Sequence, residues 1–402
     1  MRSGSASRAK GRVIVLGGAG LFGRDVVRVL AASPLVSEIV VASRDLDVSR
    51  RFTASFGSQV HAAEVDVGQE GQLRALAVDA SLVVNTAGPE ALVVLPALKE
   101  AIAAGTDYCD LCADGRVAEE ARGLDGEAKS AGMTALLGAG IFPGLSNLTM
   151  LRAARQLDSV SEVRHCILFV VARDSGGPWT LLPRWQRTGR VDASWQMIMR
   201  SLTGPVRVVD DGSLAEVEPW QTYLDLTSPS GRAVRAYPVG LSEPVTLPDT
   251  VHGLRRCSSL WSFFPPEVND RALALGRHIA AGELSESGAA LQLHEHLTAQ
   301  PRQALEPPAD LDAPWVSWAE AFGTRDGREA ISRCWPQGAW PTTEGLLGAA
   351  ALRILRGEVN LSGVLAPEAC LDPLPYFKEA ARLVGAEAPG EGLLGESLTY
   401  SD

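Results

Sequence analysis

Short apolar runs alternate with amphipathic segments through the N-terminal part of the chain. In the segment 21–32, Val26, Val29 and Leu30 recur at helical spacing, which predicts a helix there. A later helix is predicted to begin after Pro96 and to end at Gly105, a usual helix-stop residue. Short buried strands that alternate with helices are typical of βαβ units with a parallel sheet. We predict strands at residues 12–17, 38–42, 59–67, 81–85, 106–111 and 133–138.

The pattern changes from about residue 160. Strand-like pieces at 163–172, 220–226 and 232–237 are interrupted by Gly, Pro and Ser, which predicts an antiparallel sheet. All nine Trp residues lie between Trp179 and Trp340, which indicates a second domain with a different core. We therefore predict an α/β chain with a Rossmann-type doubly wound parallel sheet over 1–145 and an α+β domain on a mixed or antiparallel sheet over 146–340. Further helices are predicted at 267–281, 288–299, 343–356 and 373–384.

Composition narrows the class of protein. A chain of 402 residues with 46% hydrophobic and 21% charged residues is long enough for two globular domains and is not disordered. The net charge of −11, from 37 basic and 48 acidic residues, disfavours nucleic-acid readers and membrane-surface binders. Six cysteines make no disulfide framework, so we expect a reducing, cytoplasmic location. We find no membrane span or signal peptide and expect no stable membrane insertion.

The strongest motif is a glycine-rich turn between the first predicted strand and the first helix. It reads Gly18-x-Gly20-x-x-Gly23, with Leu21 and Phe22 inside it. In a dinucleotide-binding turn the three glycines allow the tight turn, the approach of the pyrophosphate and the packing of helix on strand, in that order. The phosphates then lie at the helix N-terminus, where amide groups and the helix dipole favour an anion. The alternative is a glycine turn without a ligand.

The end of the second predicted strand bears on the choice between NAD and NADP. An NAD site usually has a carboxylate there, whereas this strand ends in Ser43 and Arg44. A hydroxyl and a guanidinium suit the 2′-phosphate of NADP, so we predict NADP as the cofactor. The alternatives are that Arg44 is a solvated loop charge and that Asp45 reaches a ribose hydroxyl.

Other predicted strands end at the same edge of the sheet, where ligands of doubly wound sheets bind. Asp66 and Val67 are expected beside the adenine. The turn after the fourth strand is expected beside the nicotinamide ribose; it contains Asn85, Ala87, Gly88 and Pro89.

With these residues in place, the chain resembles the saccharopine dehydrogenase-like oxidoreductases, a NADP-linked family. The resemblance is carried by residues 17–24 (GGAGLFGR), 85–89 (NTAGP), 105–110 (GTDYCD), 138–147 (GAGIFPGLSN) and 363–368 (GVLAPE). It implies that C-terminal helices within 341–402 return to the first domain and that the protein is a homodimer. The family includes saccharopine reductases, carboxyspermidine-type dehydrogenases and enoyl reductases, and no motif here separates these activities.

Three residues are candidates for the proton donor in hydride-transfer chemistry. Tyr108 and Asp110 lie at the end of the fifth predicted strand. Asp174 lies in a Gly-Gly loop that the resemblance places near the substrate, and the cysteine that some relatives have there is absent. Each of the three could equally be a structural side chain.

Two groups are candidates for binding a small-molecule substrate. Phe142, Pro143 and Gly144 precede a predicted helix whose first amides could hold a carboxylate. Arg184 and Arg187 could clamp an acidic substrate, or could simply be solvated. No metal site is predicted, because Cys109-x-x-Cys112 lies on a predicted strand and has no second pair of metal-ligand spacing.

Three functions are consistent with these features. The first is a NADP-dependent reductase that transfers hydride to a C=N bond formed between an amine and an oxo compound. The second is an enoyl or carbonyl reductase of lipid or secondary metabolism, for which the Trp-rich second domain would suit an apolar substrate. The third is a NADP-binding scaffold without catalysis.

Overall fold

The computed structural model describes residues 11–170, 193–219, 222–300, 311, 315–338, 340–386 and 392–401. The chain divides into two compact units. The first consists of Met1–Ala113, Val117–Leu148 and Gln337–Gly395, and the second of Asp114–Arg116, Thr149–Pro336 and Glu396–Asp402.

Strands and helices follow one another through both units. The strands within the described ranges are β1 Gly11–Leu16, β2 Val36–Ser43, β3 Val60–Glu64, β4 Leu82–Asn85, β5 Asp107–Asp110, β6 Thr134–Leu136, β7 Ser159–Val170, β8 Val206–Asp210, β9 Ser213–Val217, β10 Leu224–Thr227, β11 Ala233–Pro238, β12 Arg256–Phe264, β13 Trp315–Arg325, β14 Arg328–Pro336, β15 Gly363–Leu365 and β16 Leu394–Tyr400. The helices there are α1 Gly23–Ala31, α2 Leu46–Thr53, α3 Gln72–Ala77, α4 Glu90–Ala104, α5 Gly115–Arg122, α6 Asp125–Ser130, α7 Leu145–Ala154, α8 Ala193–Ser201, α9 Glu243–Thr246, α10 Glu267–Ala280, α11 Glu286–Ala299, α12 Thr343–Arg356, α13 Pro367–Cys370 and α14 Pro373–Leu383. None of the described helices is both long and apolar enough to cross a membrane.

The first unit is built on a parallel sheet. Its order is β15-β6-β5-β4-β1-β2-β3, and each neighbouring pair is parallel. The central strands are buried along their length, as Val13, Ile14 and Val15 of β1 show. A strand with both faces covered needs apolar residues at successive positions, which is why these runs were recognisable in the sequence. The predicted doubly wound parallel sheet is confirmed.

The start of α4 differs from the sequence expectation. The helix begins at Glu90 and contains Pro96, whereas we predicted a start after that proline. Proline removes one donor to the helix and leaves the carbonyl four residues earlier, that of Leu92, without its helical partner. The side chain of Leu92 is 68% exposed, so this turn of the helix faces water. Solvent can therefore satisfy the carbonyl, and the helix continues through Pro96.

The second unit contains a mixed sheet. The order β10-β11-β12-β7-β13-β14-β16 runs through it, and β8 pairs with β12 and β9. The prediction of a mixed or antiparallel sheet is confirmed in its mixed form, because β7 and β12 are parallel from Glu162 beside Arg256 to Val170 beside Phe264, whereas β7 and β13 are antiparallel. Parallel neighbours need a long connection that returns to the same end of the sheet. The segment between these strands contains α8 and β8–β11 and is long enough to do this.

A buried carboxylate joins three strands of this second sheet. Glu320 on β13 is 1% exposed and lies between Arg164 on β7 and Arg333 on β14. The two Nε–Oε distances are 2.6 and 2.7 Å. Because each oxygen accepts from a different arginine, the charge is paired on both sides. An acidic residue in the middle of a strand therefore does not interrupt the sheet.

Within the first unit, α12 approaches α14 closely at Gly345. A Cβ built on this glycine would lie 2.8 Å from the main-chain oxygen of Ala380 and 3.1 Å from Val384 Cγ1. Main-chain atoms of a helix cannot rotate away as side chains can, so a side chain at this position would push the helices apart.

We expect Gly345→Ala to lower the free energy of unfolding by about 1–2 kcal/mol, because overpacking outweighs the gain in helix propensity. Gly126→Ala is the matched control, because Gly126 also lies in the first turn of a helix, α6, and has no atom within 4 Å of its Cβ position. The control should raise stability by about 0.5 kcal/mol. Thermal and urea unfolding measure both effects, and equal shifts in the two variants would contradict the packing argument.

Candidate functional site

The turn between β1 and α1 is closed by glycines. Gly17 has φ +70°, so the left-handed residue of the turn is Gly17 and not Gly18, to which the motif assigned the tight turn. A Cβ on Gly18 would lie 3.1 Å from Val27 Cγ2, so this glycine lets α1 pack on β1. A Cβ on Gly20 would lie 2.9 Å from the oxygen of Gly17, and one on Gly23 2.6 Å from Gly18 Cα. The turn therefore has no space for side chains at these positions.

The start of α1 presents amide groups without protein acceptors. Within the described ranges, the main-chain N–H groups of Ala19, Leu21 and Gly23 make no hydrogen bond. No side chain caps the helix, whose N-cap residue is Phe22. Exposed amides and the positive end of the helix dipole together favour a phosphate group at this position. The residues of the turn thus fit the diphosphate of a dinucleotide.

The turn after β4 lies directly against this glycine turn. A Cβ on Gly17 would lie 2.8 Å from Ala87 Cα and 2.9 Å from Ala87 N. Thr86 donates from both its main-chain N and its Oγ1 to the oxygen of Leu16, at 2.9 and 2.7 Å. The turn that contains the predicted nicotinamide-side residues Ala87, Gly88 and Pro89 therefore lies beside the end of β1.

The end of β2 presents two possible partners for the ribose of the coenzyme: Asp45 for a hydroxyl, or Ser43 and Arg44 for a 2′-phosphate. Asp45 is the N-cap of α2, and its Oδ1 accepts a hydrogen bond from Val48 N at 2.9 Å. Its carboxylate is therefore already engaged with the helix. The Ser43 hydroxyl lies 2.9 Å from the oxygen of Asp45 and 2.8 Å from the Ser49 hydroxyl. Arg44 is exposed and makes no ion pair within the described ranges, so its charge is available to a 2′-phosphate.

The predicted adenine-side residues follow β3. Asp66 holds a turn, in which its Oδ1 accepts from Gly68 N at 3.0 Å and its own N donates to Gln72 at 2.9 Å. Val67 packs against the core of the first unit. Both residues lie beyond the carboxyl end of β3, at the edge where the β1–α1 turn begins.

Tyr108 and Asp110 belong to a buried hydrogen-bond network with Asn85. Asn85 Nδ2 donates to the Tyr108 hydroxyl at 3.0 Å, and this hydroxyl donates to Asp110 Oδ2 at 2.9 Å. Asp110 Oδ1 accepts from the amides of Cys112 and Gly138 at 3.0 and 2.8 Å. Asn85 Oδ1 accepts from Ala87 N at 3.0 Å. The network therefore connects the carboxyl ends of β4, β5 and β6.

Burial shifts the acidity of this network. It raises the pKa of Asp110 to about 6, against the opposing effect of the amide and Tyr108 hydrogen bonds. Burial also raises the pKa of Tyr108 well above its usual value, and the neighbouring Asp110 carboxylate adds to the shift. Above about pH 6 the network therefore contains a carboxylate that only accepts and a phenol that stays protonated.

The segment that precedes α7 differs from the start of α1. Gly144 N donates to Asn147 Oδ1 at 2.9 Å, Leu145 N to the oxygen of Gly140 at 3.0 Å, and Ser146 N to that of Ile141 at 3.2 Å. The amides that we expected to hold a substrate carboxylate are thus bonded to protein acceptors. Phe142 is half-buried, and Pro143 and Gly144 are buried.

Three of the predicted site residues, Asp174, Arg184 and Arg187, lie outside the described residues. Cys109 and Cys112 are both buried and Cys112 follows β5. Within the described ranges, no group of three His, Cys, Asp or Glu side chains is arranged to hold a metal ion.

Sequence reasoning missed Gly17, Thr86 and Gly138. A glycine directly before the motif is a signal for the first of these. Thr86 donates to the end of β1 and Gly138 donates to Asp110 after β5, and no spacing along the sequence reveals such contacts between strands.

Residues 13–136 match the family model "Saccharopine dehydrogenase NADP binding domain". The match runs from within β1 to the end of β6 and contains the glycine turn, the β4 turn and the side chains of the buried network, whereas Gly138 lies two residues beyond it. The cofactor prediction is confirmed at this level: the domain binds NADP.

Solved structures extend the likeness beyond this domain. The apo histidine-tagged saccharopine dehydrogenase (L-Glu forming) from Saccharomyces cerevisiae is 16% identical, with a TM-score of 0.61 over 97% of this chain and 100% of that chain. At this identity the likeness establishes the fold. GenD2 from gentamicin A biosynthesis, in complex with NAD, is 14% identical over 100% of this chain and 99% of that one, with a TM-score of 0.40.

We expect Arg44→Ala to weaken NADPH binding about 10- to 100-fold, because one charge-assisted contact to the 2′-phosphate is lost. NADH lacks this phosphate, so its dissociation constant should change less than about twofold. Coenzyme fluorescence titration measures both constants. Arg51→Ala, an exposed arginine on α2, is the matched control. Equal losses for NADPH and NADH would rule out the 2′-phosphate contact.

The glycine turn with open amides fits a dinucleotide phosphate and lies within the range that the family model matches, and the yeast structure shares the fold of almost the whole chain. Residues 13–136 therefore form a domain of the saccharopine dehydrogenase NADP-binding type, within a chain that shares the fold of the yeast structure over 97% of its length.

Proposed function

We propose that the protein transfers hydride from NADPH to a C=N bond formed between an amine or amino acid and an oxo compound. The observation that carries this proposal is the likeness of fold to a saccharopine dehydrogenase that is L-Glu forming, over 97% of this chain and all of that one. An enzyme that forms an amino acid from saccharopine acts at a carbon–nitrogen bond. The shared fold supports the same reaction class here.

The described residues would bind and orient the coenzyme. The amides of Ala19, Leu21 and Gly23 would hold the diphosphate, and Ser43 and Arg44 the 2′-phosphate. Ala87, Gly88 and Pro89 would lie against the nicotinamide side. When bound, NADPH supplies the hydride, so the protein needs to supply orientation and a proton. Asp174 keeps its proposed role as a proton donor, and Arg184, Arg187 and Phe142 keep theirs in binding substrate.

One group of side chains favours a second candidate, reduction of an apolar enoyl or carbonyl substrate. Phe169, near the end of β7, is half-buried and lies 5.3 Å from Trp261 and 5.7 Å from Phe263 between ring centroids. The two partners are on β12, the parallel neighbour of β7. Trp261 and Phe263 are each 1% exposed, so the half-buried Phe169 is the ring of this cluster that could offer apolar surface to a substrate.

We also propose that the protein is a homodimer in the cytoplasm. The family resemblance supports the dimer. No disulfide joins the six cysteines, all of which are described, and this is consistent with a reducing compartment. Light scattering of the purified protein measures the oligomeric state directly.

A substrate screen tests the reaction class. NADPH consumption is followed with a panel of amines and 2-oxo acids or aldehydes, each also omitted in turn. We expect turnover only when both partners are present, because the C=N bond must form first. Turnover with an unsaturated thioester or a ketone alone, and none with any amine–carbonyl pair, would replace this proposal with the second candidate.

Gly20→Val provides the coenzyme-deficient control for that screen. The new side chain would enter the turn, where a Cβ already lies 2.9 Å from the oxygen of Gly17, and NADPH affinity should fall more than about 100-fold. Gly57→Val is the matched substitution, because no atom lies within 4 Å of that Cβ position. NADPH consumption that persists in the Gly20 variant does not come from this site.

A further inference from the structure

The buried network of Asn85, Tyr108 and Asp110 connects the turn after β4, which is expected beside the nicotinamide ribose, with the loop before α7. We infer that Tyr108 and Asp110 are positioning residues that hold these segments for coenzyme binding, and that they do not exchange protons with the substrate. The inference rests on the coenzyme assignment and is independent of which substrate the enzyme reduces.

One arm of the network leads to the phosphate-binding turn. Asp110 accepts from Tyr108, Tyr108 accepts from Asn85, and Asn85 accepts from Ala87 N, with all three distances between 2.9 and 3.0 Å. Ala87 in turn lies against Gly17, where a Cβ would come within 2.8 Å of Ala87 Cα. A change in the network therefore reaches the glycine turn through two adjacent main-chain segments.

The other arm leads to the loop before α7. Asp110 Oδ1 accepts from Gly138 N at 2.8 Å, and the main-chain oxygen of Asp110 accepts from Ala139 N at 2.8 Å. Gly138 has φ +70°, and a Cβ there would lie 2.5 Å from Pro143 Cγ. Asp110 thus fixes the turn on which Pro143 packs.

Burial and bonding argue against proton donation by these groups. Tyr108 is 0% and Asp110 1% exposed, so no substrate reaches either one in the described geometry. Both carboxylate oxygens of Asp110 and the Tyr108 hydroxyl already have protein partners. A general acid needs to come within hydrogen-bond distance of the atom that it protonates.

The charge state of Asp110 determines which groups donate and which accept in the hydrogen bonds of the network. An ionised carboxylate accepts three hydrogen bonds, whereas a protonated one must donate one. Tyr108 would then face donors from both Asn85 and Asp110, and its own proton would lose its acceptor. Among the described residues, the other titratable groups that act on this network are Cys109, which faces Asp110, and Cys112, which faces Tyr108. Burial raises the pKa of Asp110 to about 6, and burial together with the Asp110 and Asp107 carboxylates raises the pKa of Cys109. Asp110 is thus the group that titrates in the mildly acidic range.

Asp110→Asn tests the inference, because an asparagine resembles the protonated carboxyl at every pH. NADPH dissociation constants are measured for wild type and variant between about pH 7.5 and about pH 5. We expect the variant to bind about tenfold more weakly at the upper end and the ratio to approach one at the lower end. Titration of the coenzyme phosphate affects both proteins and cancels in the ratio.

Asp107→Asn is the matched control on the same strand. Asp107 is also buried, and its Oδ1 accepts from Thr134 N at 2.9 Å at the opposite end of β5. We expect it to leave the NADPH dissociation constant within about twofold of wild type at all pH values. A ratio for Asp110→Asn that is one throughout, or that is constant across pH, would overturn the inference.

Two further measurements keep the test decisive if Asp110→Asn folds poorly. Tyr108→Phe should weaken NADPH binding about 3- to 10-fold, because the link between Asp110 and Asn85 is lost. Without coenzyme, hydrogen exchange should be faster in that variant over residues 85–89, with residues 60–64 unchanged. Unchanged NADPH binding together with unchanged hydrogen exchange would contradict the positioning role. Both measurements are made without substrate, so a failed substrate screen would not affect them.

Discussion

The approach of two main-chain turns at the carboxyl edge of the parallel sheet is the constraint on which the first unit depends. The β1–α1 turn and the β4 turn come so close that Gly17 and Gly23 have no space for a side chain. This contact determines where α1 begins, and hence where its open amides point. It also places Ala87 beside the expected diphosphate. A substitution that separates the turns would displace the anion site and the nicotinamide side together.

Much of the first unit could be predicted from the sequence because its strands are buried on both faces. Strands such as β1 and β4 then appear as continuous apolar runs, and the glycine spacing identifies the turn between β1 and α1. The second sheet was harder to predict. Nothing in the sequence of β7 or β12 specifies that they pair in parallel, since pairing depends on the connection between them. Glu320 also makes β13 look unsuitable for a core until Arg164 and Arg333 are placed beside it.

The starts of α1 and α7 show that the sequence alone does not reveal which main-chain amides are available to a ligand. Both α1 and α7 follow glycine-rich segments, and from sequence both offer amides to an anion. In the structure, α1 keeps its amides open, whereas those of Gly144, Leu145 and Ser146 are bonded to nearby oxygens. The difference arises because the loop before α7 folds back on itself. Whether an amide is available depends on its acceptors, and these are set by the loop conformation.

The hydrogen-bond donors around position 110 explain why a carboxylate is found there. Burying a charge is unfavourable unless each lone-pair direction is used, and three donors converge on Asp110 from Tyr108, Cys112 and Gly138. A neutral amide could accept from the two main-chain groups, but it would present a donor to Tyr108. The anion is the group that imposes a single direction on the chain of hydrogen bonds to Asn85 and Ala87. These hydrogen bonds offset part of the cost of burying the charge, and because burial outweighs them the pKa of Asp110 remains raised, to about 6.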